Sequence, residues 1–240
     1  MSPQQASLTC LIPARNESGH LKQLCRDIIG CNIFDELIIV EGGSSDNTWE
    51  VAQELSHFEP ELIRSIQQDG KGKMNAVLCG IQKSVGEYVV IWDADGTVPV
   101  ADVKRLVALS LNENVFVKGD RLRGKRSPKS MKPINFLGNW FFAVAWAPLL
   151  KEIPSDVLCG SKVFPRRIHE SLTPRSIKLD PYGDFALMLA AVKSGCKVKS
   201  LKVDYLARSY GMTNINRWRG AAQLFRFVAW MYFNKILKRS

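Results

Sequence analysis

Two carboxylates one residue apart, Asp93 and Asp95, close an apolar run in Tyr88-Val-Val-Ile-Trp-Asp-Ala-Asp-Gly96. The stretch from Tyr88 to Trp92 is rich in β-branched and aromatic residues and bounded by Gly86 and Gly96, which reads as a buried strand. Residues i and i+2 of an extended chain lie on one side, so both carboxylates can face one hard cation. An all-oxygen ligand set selects Mg²⁺ or Mn²⁺, and Mg²⁺ is usually held by one or two carboxylates together with substrate phosphates. The chemistry on offer is a metal–diphosphate site. Asp-Ala-Asp-Gly is also a good turn, since Asp and Gly both favour turns. The neighbouring elements have to decide.

Those elements alternate. Leu8 to Ile12 is a short apolar strand that stops at Pro13, and its loop leads to a helix that Ser18 can cap, running to about Ile29. Leu37 to Val40 is a second strand ending in Glu41-Gly-Gly-Ser-Ser-Asp-Asn-Thr48, where Ser45 or Asp46 can cap a helix through Ser56. A third strand covers Glu61 to Ile66, and Asp69-Gly-Lys-Gly-Lys-Met-Asn75 opens a helix to about Lys83. After the Tyr88 strand come a helix over Ala101 to Leu111 and a strand over Val115 to Lys118. Strands alternating with helical patterns of about 10–15 residues predict an α/β fold with a mostly parallel sheet. Ligands of such sheets sit outside the carboxyl ends of the strands, where Asp93 and Asp95 would stand. Beyond Gly119 the pattern changes. Arg121 to Lys132 is a basic loop, Phe136 to Leu150 is nearly all apolar, and Val157 to Phe164 is strand-like. Gly183 to Ser194 reads as a helix, Val198 to Tyr205 alternates, and Arg217 to Lys238 is a helix mixing aromatic and basic residues.

At 240 residues, with no repeat and no low-complexity linker, one domain with a sizeable core is expected over 1–240. The net charge of +10 suits nucleic acid, an anionic membrane surface or phosphorylated substrates. No zinc-finger spacing and no basic region running into heptads supports nucleic acid. The six cysteines (10, 25, 31, 79, 159, 196) form no Cys-x-x-Cys pair, so buried reduced thiols in a cytosolic protein are expected. Met1-Ser-Pro-Gln-Gln5 lacks the regions of a signal peptide. Phe136–Leu150 is too short for a span of roughly 20 residues, and Gln223–Leu237 is broken by Arg226 and Lys235. Neither is expected to cross a bilayer; each can lie on one, and the aromatic residues of the first serve equally well as ordinary core, as does part of the second. His20, His57 and His169 read as surface or capping residues, and Ser44 and Ser45 have no visible base, which disfavours a serine hydrolase.

A series of motifs spans nearly the whole chain. It runs Ile12-Pro-Ala-Arg-Asn-Glu17, Val40-Glu-Gly-Gly-Ser-Ser-Asp-Asn-Thr48, Gly70-Lys-Gly72 and Asp93-Ala-Asp-Gly96. It continues with Val117-Lys-Gly-Asp-Arg121, Asp156-Val-Leu-Cys-Gly160, Tyr182-Gly-Asp-Phe185 and Arg208-Ser-Tyr-Gly-Met-Thr-Asn214. In that order they resemble the family 2 glycosyltransferases of GT-A fold, closest to the dolichol- or polyprenyl-phosphate sugar synthase branch. Each motif is short; their joint order is the specific signal. The resemblance implies a Rossmann-like sheet flanked by helices, with a nucleotide-sugar-binding part over 1–119, an acceptor side over 120–214 and an amphipathic helix over 215–240. It implies an inverting, Mg²⁺- or Mn²⁺-dependent enzyme passing a sugar from a nucleoside-diphosphate sugar to polyprenyl or dolichyl phosphate. The expected setting is the cytoplasmic face of a membrane, peripheral, on an anionic surface and without nucleic acid. Two departures stand out: Glu41 opens a loop where relatives carry Asp, and Thr97 stands where many carry Gln.

By the same resemblance, Pro13, Ala14, Arg15, Glu17, Glu41, Asp46 and Lys71 hold the nucleotide, together with Asp93, Ala94 and Asp95. Asp95 is the direct metal ligand, and Asp93 lies nearer the ribose and the metal's waters. Asp46 serves equally well as a helix cap. Arg208 closes over the phosphates, which suits the planar fork of arginine. If a hydroxyl attacks, Asp184 at a helix head is the general base. If a lipid phosphate attacks, its second pKa of about 6 leaves it largely ionised, and Asp184 positions the acceptor or caps the helix. Arg121, Arg123, Asp156 and Thr213 fall on the acceptor side. Arg121, Arg123, Lys125 and Arg126 would gather an anionic headgroup, each basic residue being worth about 1 kcal/mol near a charged surface. Trp218, Phe225, Phe227, Trp230, Tyr232 and Phe233, interleaved with basic residues, suit an interfacial helix. Two other readings remain open: transfer to a saccharide hydroxyl, and a nucleotidyltransferase or non-catalytic nucleotide-sugar-binding protein.

Overall fold

The computed structural model describes residues 6–125, 133–151, 154–207 and 217–234. Arg126, Arg208, Thr213, Lys235, Lys238 and Arg239, and the side chains of Phe136, Arg217 and Trp218, lie outside the described residues. The first half alternates as expected: β1 (Leu8–Ala14), α1 (Ser18–Cys31), β2 (Glu36–Glu41), α2 (Thr48–Phe58), β3 (Ile63–Gln67), α3 (Lys73–Lys83) and β4 (Tyr88–Ile91). Then follow α4 (Val100–Glu113), β5 (Phe116–Asp120), α5 (Pro133–Leu150), β6 (Lys162–Pro165), a 3₁₀ turn (Arg166–Ser171), α6 (Pro174–Leu179), α7 (Asp184–Lys193), β7 (Val198–Lys202) and α8 (Arg217–Phe233). Helices α1 and α4 stop on Asn32 and Asn114, whose φ of 48° and 52° fall in the left-handed region that asparagine tolerates.

The seven strands form one sheet in the order β3-β2-β1-β4-β6-β5-β7. Every neighbouring pair is parallel except those made by β6, which runs antiparallel to both β4 and β5. Helices cover both faces, so β2 and β4 are buried at every residue and read as continuous apolar runs rather than alternating ones. The chain moves from β1 outward to β2 and β3, then crosses back to β4 on the other side of β1. That reversal opens a crevice beyond the carboxyl ends of β1 and β4. The antiparallel strand is shorter than the expected Val157–Phe164 segment. Its first residue, Lys162, stands beside Ile91 of β4 and Lys118 of β5. Running the opposite way, β6 therefore begins where the parallel strands end.

One face of the sheet carries α1, α2 and α4; the other carries α3, α5, α7 and α8. On the second face an aromatic cluster joins three helices. Phe185 stacks edge-on against Phe142 at 5.3 Å, Trp146 at 5.4 Å and Phe227 at 5.6 Å. The terminal helix, expected to be interfacial with core packing for part of its length, places Leu224, Phe227 and Met231 of α8 in the core. An apolar 3.6-residue stripe has to be covered by something, and α5 and α7 cover this one. Helix α5 is likewise two-sided, with Phe142, Trp146 and Leu149 buried and Leu137, Trp140, Phe141 and Val144 exposed. Among the described residues no helix is long and apolar enough to cross a membrane. His20 is also corrected, being buried with its ring nitrogen 3.0 Å from Glu17 Oε2. The thiols are free, and burial pushes Cys25 up to about 12 and Cys159 up to about 11. Truncating Phe227 to alanine should cost about 3–5 kcal/mol, read as a lower denaturant midpoint with unchanged slope; a loss under about 1 kcal/mol would show that α8 is not part of the core.

Candidate active site

The crevice is floored by loops that are tied to one another. After β1 the chain turns through Asn16 at φ 56°. The Asn16 amide donates to Ser44 Oγ at 3.0 Å, and its side-chain oxygen accepts from the Ser45 amide at 2.8 Å. The Gly42 amide donates to the Ala14 carbonyl at 2.9 Å, so the loops after β1 and β2 move as one. Pro13 is half-buried, Ala14 buried and Arg15 exposed. Glu41 is only 2% exposed and folds back on its own loop, accepting from the Ser44 amide at 2.5 Å. Asp46 accepts from the Ser18 hydroxyl at 2.9 Å and the Thr48 hydroxyl at 2.5 Å, binding the starts of α1 and α2 together. Burial opposes its charge, but these hydrogen bonds win and hold its carboxyl below the ordinary range. The N-caps themselves are Glu17 and Asn47, not Ser18, Ser45 or Asp46. Lys71 stands exposed on the loop between β3 and α3.

Beyond β4, four charges alternate. Lys73 at the head of α3 pairs with Asp93, and Lys162 at the head of β6 pairs with Asp184 at the head of α7. The pairs interlock. Burial works against the Asp93 charge, yet Lys73, Lys162 and Arg121 together keep its carboxyl below the ordinary value. Burial likewise opposes the Lys73 charge, and Asp93, Asp184 and Asp95 overcome it and raise the ammonium's pKa. Asp95 turns onto the following turn, accepting from the Thr97 amide at 3.2 Å and hydroxyl at 2.9 Å. Thr97 thus braces the second carboxylate where many relatives carry an amide. Gly160 packs against Asp93 so closely that a Cβ there would overlap the carboxylate.

Asp184 does not cap its helix; that role belongs to Asp180. Asp180 accepts from the Phe185 amide at 2.7 Å, the Ala186 amide at 2.8 Å and the Tyr182 amide at 3.0 Å. Its neighbour Gly183, at φ 85°, turns the chain so that Asp184 faces Lys162 instead. Burial and the Asp184 charge push the Asp180 carboxyl up to about 6, against the pull of those amides.

On the far side, Asp156 is fully buried and holds Arg121 through a two-pronged contact, Nε to Oδ2 at 2.7 Å and Nη2 to Oδ1 at 3.0 Å. Asn139 of α5 completes the carboxylate at 2.6 Å. Burial opposes the Asp156 charge, but Arg121 dominates and holds its carboxyl far below the ordinary range. Arg121 also lies over the Tyr205 ring at 5.2 Å from its centroid. Arg123 turns outward to Asp120 at 3.3 Å. Lys118, buried beside the Asp156 carbonyl, has its pKa lowered because burial outweighs Asp156 and Asp120.

The donor set fits a hard divalent ion. Asp93 and Asp95 are half-buried carboxylates, and both act on the same two groups, Lys73 and Tyr205. Among the described residues no cluster of three or more His, Cys, Asp or Glu forms a cage. Phosphates and water can complete the coordination of such a pair, as suits Mg²⁺ or Mn²⁺.

A family model described as glycosyl transferase family 2 matches residues 9–172. The chain belongs to that family. This family 2 glycosyltransferase is 26% identical over 226 residues to the glycosyltransferase AglJ of Haloferax volcanii, covering 93% of this chain and 71% of that protein. It is 28% identical over 189 residues to the dolichyl-phosphate beta-glucosyltransferase ALG5C of Trichomonas vaginalis, covering 72% of this chain and 56% of that one. It is 33% identical over 124 residues to the undecaprenyl-phosphate 4-deoxy-4-formamido-L-arabinose transferase of Proteus mirabilis, covering 50% of this chain and 38% of that one. The polyprenyl-phosphate sugar transferases are thus among its relatives. In fold it matches mannosyl-3-phosphoglycerate synthase from Rubrobacter xylanophilus, with TM-score 0.71, 17% identity and coverage of 96% of this chain and 75% of that one. It also matches glucosyl-3-phosphoglycerate synthase from Mycobacterium tuberculosis in complex with Mn²⁺, uridine diphosphate and glucosyl-3-phosphoglycerate. There the TM-score is 0.64 at 16% identity, over 93% of this chain and 80% of that one. As a family 2 glycosyltransferase the protein is an enzyme, which leaves the non-catalytic binding protein and the nucleotidyltransferase without support.

The sequence alone did not single out Lys162, Asp180, Tyr205 or Asn139, and it offered Lys73 only as one of the lysines flanking the glycines at 70 and 72, for a phosphate or ribose contact. Lys73 carried a faint signal as the basic residue just after Gly-Lys-Gly, and Asp180 as a carboxylate four residues before Asp184. Lys162 carried none, because only the antiparallel register places it there. Two outcomes test this geometry. Gly160→Ala should lower transfer by about 100-fold through displacement of Asp93; wild-type activity in that variant would overturn the close approach. Asp180, raised from 3.8, stabilises the fold while protonated, fully below about 3.8 and no longer once pH has risen through about 6. Stability of the wild type relative to Asp180→Asn should therefore fall by about 2 kcal/mol between roughly pH 4 and pH 7, and a pH-independent difference would contradict it.

Proposed function

We propose that this glycosyltransferase passes a sugar from a nucleoside-diphosphate sugar to polyprenyl or dolichyl phosphate, with inversion, at the anionic cytoplasmic face of a membrane. One observation carries the lipid acceptor. Asn139, whose amide bonds the carboxylate that holds Arg121, faces inward from α5, while Leu137, Trp140, Phe141 and Val144 are exposed on the outer side of the same helix. These four residues recur at helical spacing, so the helix that is tied to the Arg121 fork also carries an exposed apolar face. Helix α8 extends the face with Phe225, 4.8 Å from Phe141 between ring centroids, and with Tyr232 and Phe233. Gly220 of α8 meets the Tyr182 hydroxyl, two residues from Asp184. A lipid lying along this face would deliver its phosphate to the acceptor side of the crevice. The names of the Trichomonas and Proteus relatives point the same way.

The residues then divide the work. The Pro13 to Glu17 loop and Glu41 hold the base and ribose, Asp46 fixes the two loops, and Lys71 reaches from the rim. Asp93, Ala94 and Asp95 face the diphosphate, and the two carboxylates would hold Mg²⁺ or Mn²⁺. The ion would act there as a Lewis acid that offsets charge on the departing diphosphate. Arg121, aimed by Asp156, receives the acceptor phosphate with its planar fork. Arg123 adds charge at the rim, and Arg208 and Thr213 serve the phosphates and the acceptor. An oxygen of the ionised acceptor bonds to the anomeric carbon as its bond to the diphosphate breaks on the opposite side. The nucleoside diphosphate leaves, and no proton need be removed. Asp184, set by Lys162, then positions the acceptor. The second reading keeps the donor half and transfers to a saccharide hydroxyl; it is favoured by Asp184 being released from capping, which suits a general base.

The test supplies labelled UDP- and GDP-sugars with Mn²⁺ to phosphatidylglycerol vesicles carrying undecaprenyl phosphate. The expected product is lipid-linked label that mild acid releases. The double variant Leu137→Ser, Trp140→Ser should lose about tenfold or more of vesicle binding, given about 1.5–3 kcal/mol per buried apolar side chain. Its activity on a short soluble prenyl phosphate should be retained. Acid-stable label on a glycan would establish the second reading instead.

A further inference from the structure

Three carboxylates act on one ammonium in the crevice. Lys73 Nζ bonds Asp93 Oδ1, and the negative charges of Asp184 and Asp95 also act on it. Its position is fixed from both sides. Gly72, at φ 88°, turns the chain into α3 just before it, and the Met74 amide after it donates to the Pro181 carbonyl at 3.2 Å. The ion pair is not sealed: the Lys73 side chain is 26% exposed and that of Asp93 31%. Lys73 thus sits where a cation and a diphosphate would meet, on a flexible stem with three rotatable donors.

We infer that Lys73 is a place-holder cation, which neutralises Asp93 while the donor is absent and passes to the diphosphate oxygens when the donor arrives with its ion. The inference rests on the metal reading of Asp93 and Asp95 given above. A divalent ion entering without a diphosphate meets two obstacles. It must take Asp93 from Lys73 and leave an ammonium unpaired, or it must settle beside that ammonium against like-charge repulsion. A diphosphate removes both, because its oxygens accept the ammonium and complete the ion's coordination. Ion and nucleotide therefore bind with a positive coupling that is larger than shared coordination alone supplies, and Lys73 provides the excess. Asp93 consequently stays neutralised in both states, exchanging one positive partner for another.

The experiment titrates Mn²⁺ by electron paramagnetic resonance against the full chain, alone and with uridine diphosphate, with guanosine diphosphate in a parallel series. In Lys73→Gln, Mn²⁺ alone should bind about tenfold tighter than in wild type, and the affinity ratio with and without nucleotide should shrink by about tenfold, within the usual span of coupling energies. Lys73→Arg, which keeps the charge, should hold the ratio near wild type. Lys73→Met reads the same quantities should the glutamine variant fail to fold. Unchanged or weaker Mn²⁺ binding by the neutral variants without nucleotide overturns the place-holder and leaves the metal reading standing. Absence of Mn²⁺ binding by wild type with either nucleotide overturns both.

Discussion

The structure depends on charges of opposite sign alternating at the carboxyl ends of β1, β4 and β5. Asp93 is neutralised by Lys73, and Asp184 by Lys162. Removing any one of the four would leave a partly buried charge without its partner, which is far more costly than the pair is favourable. The sheet makes this arrangement possible. The reversal of strand order beside β1 opens space beyond β4, and the antiparallel β6 brings a lysine to the same end from the opposite direction. The site is consequently assembled from four chain segments, at 73, 93, 162 and 184, and each is fixed by a different element.

A second, drier network connects this crevice to the helical face. Asp156 has no exposure, and its oxygens are shared among the Arg121 fork, the amides of Arg121 and Leu158, and Asn139. Such saturation is what allows a carboxylate to remain ionised in the interior. It also makes Arg121 a rigid donor, with its plane fixed before any ligand arrives, and joins that plane to α5. Asp180 does comparable work under α7. By taking the Phe185 and Ala186 amides at the helix head, and the Tyr182 amide just before it, Asp180 releases Asp184 from capping.

Much of the first half was legible because its signals are local. Apolar runs ending in Pro13, Glu41 and Asp93 mark strands whose carboxyl ends carry polar loops, and the observed bounds of β1, β2 and β4 differ from those expected by about one or two residues. The second half was less legible, for a physical reason. Val157 to Phe164 is strand-like in composition throughout, and only pairing with β4 decides that the strand begins at Lys162. Residues 166–179 carry a 3₁₀ turn and a short helix whose capping box, Thr173 with Ser176, is too brief to separate from ordinary loop chemistry. The aromatic composition of α8 showed an amphipathic helix, but composition does not say which face meets a core.

The sequence by itself determined the alternating α/β order, the strand-tip carboxylates and the family resemblance, since each is written in contiguous residues. Tertiary structure decided everything that requires two distant segments to meet: that Lys73 rather than Lys71 faces Asp93, that Asp180 caps so Asp184 need not, and that Asp156 serves Arg121. A charged side chain acquires its role from the field around it. That field is set by strand order and register, which no single stretch of chain contains.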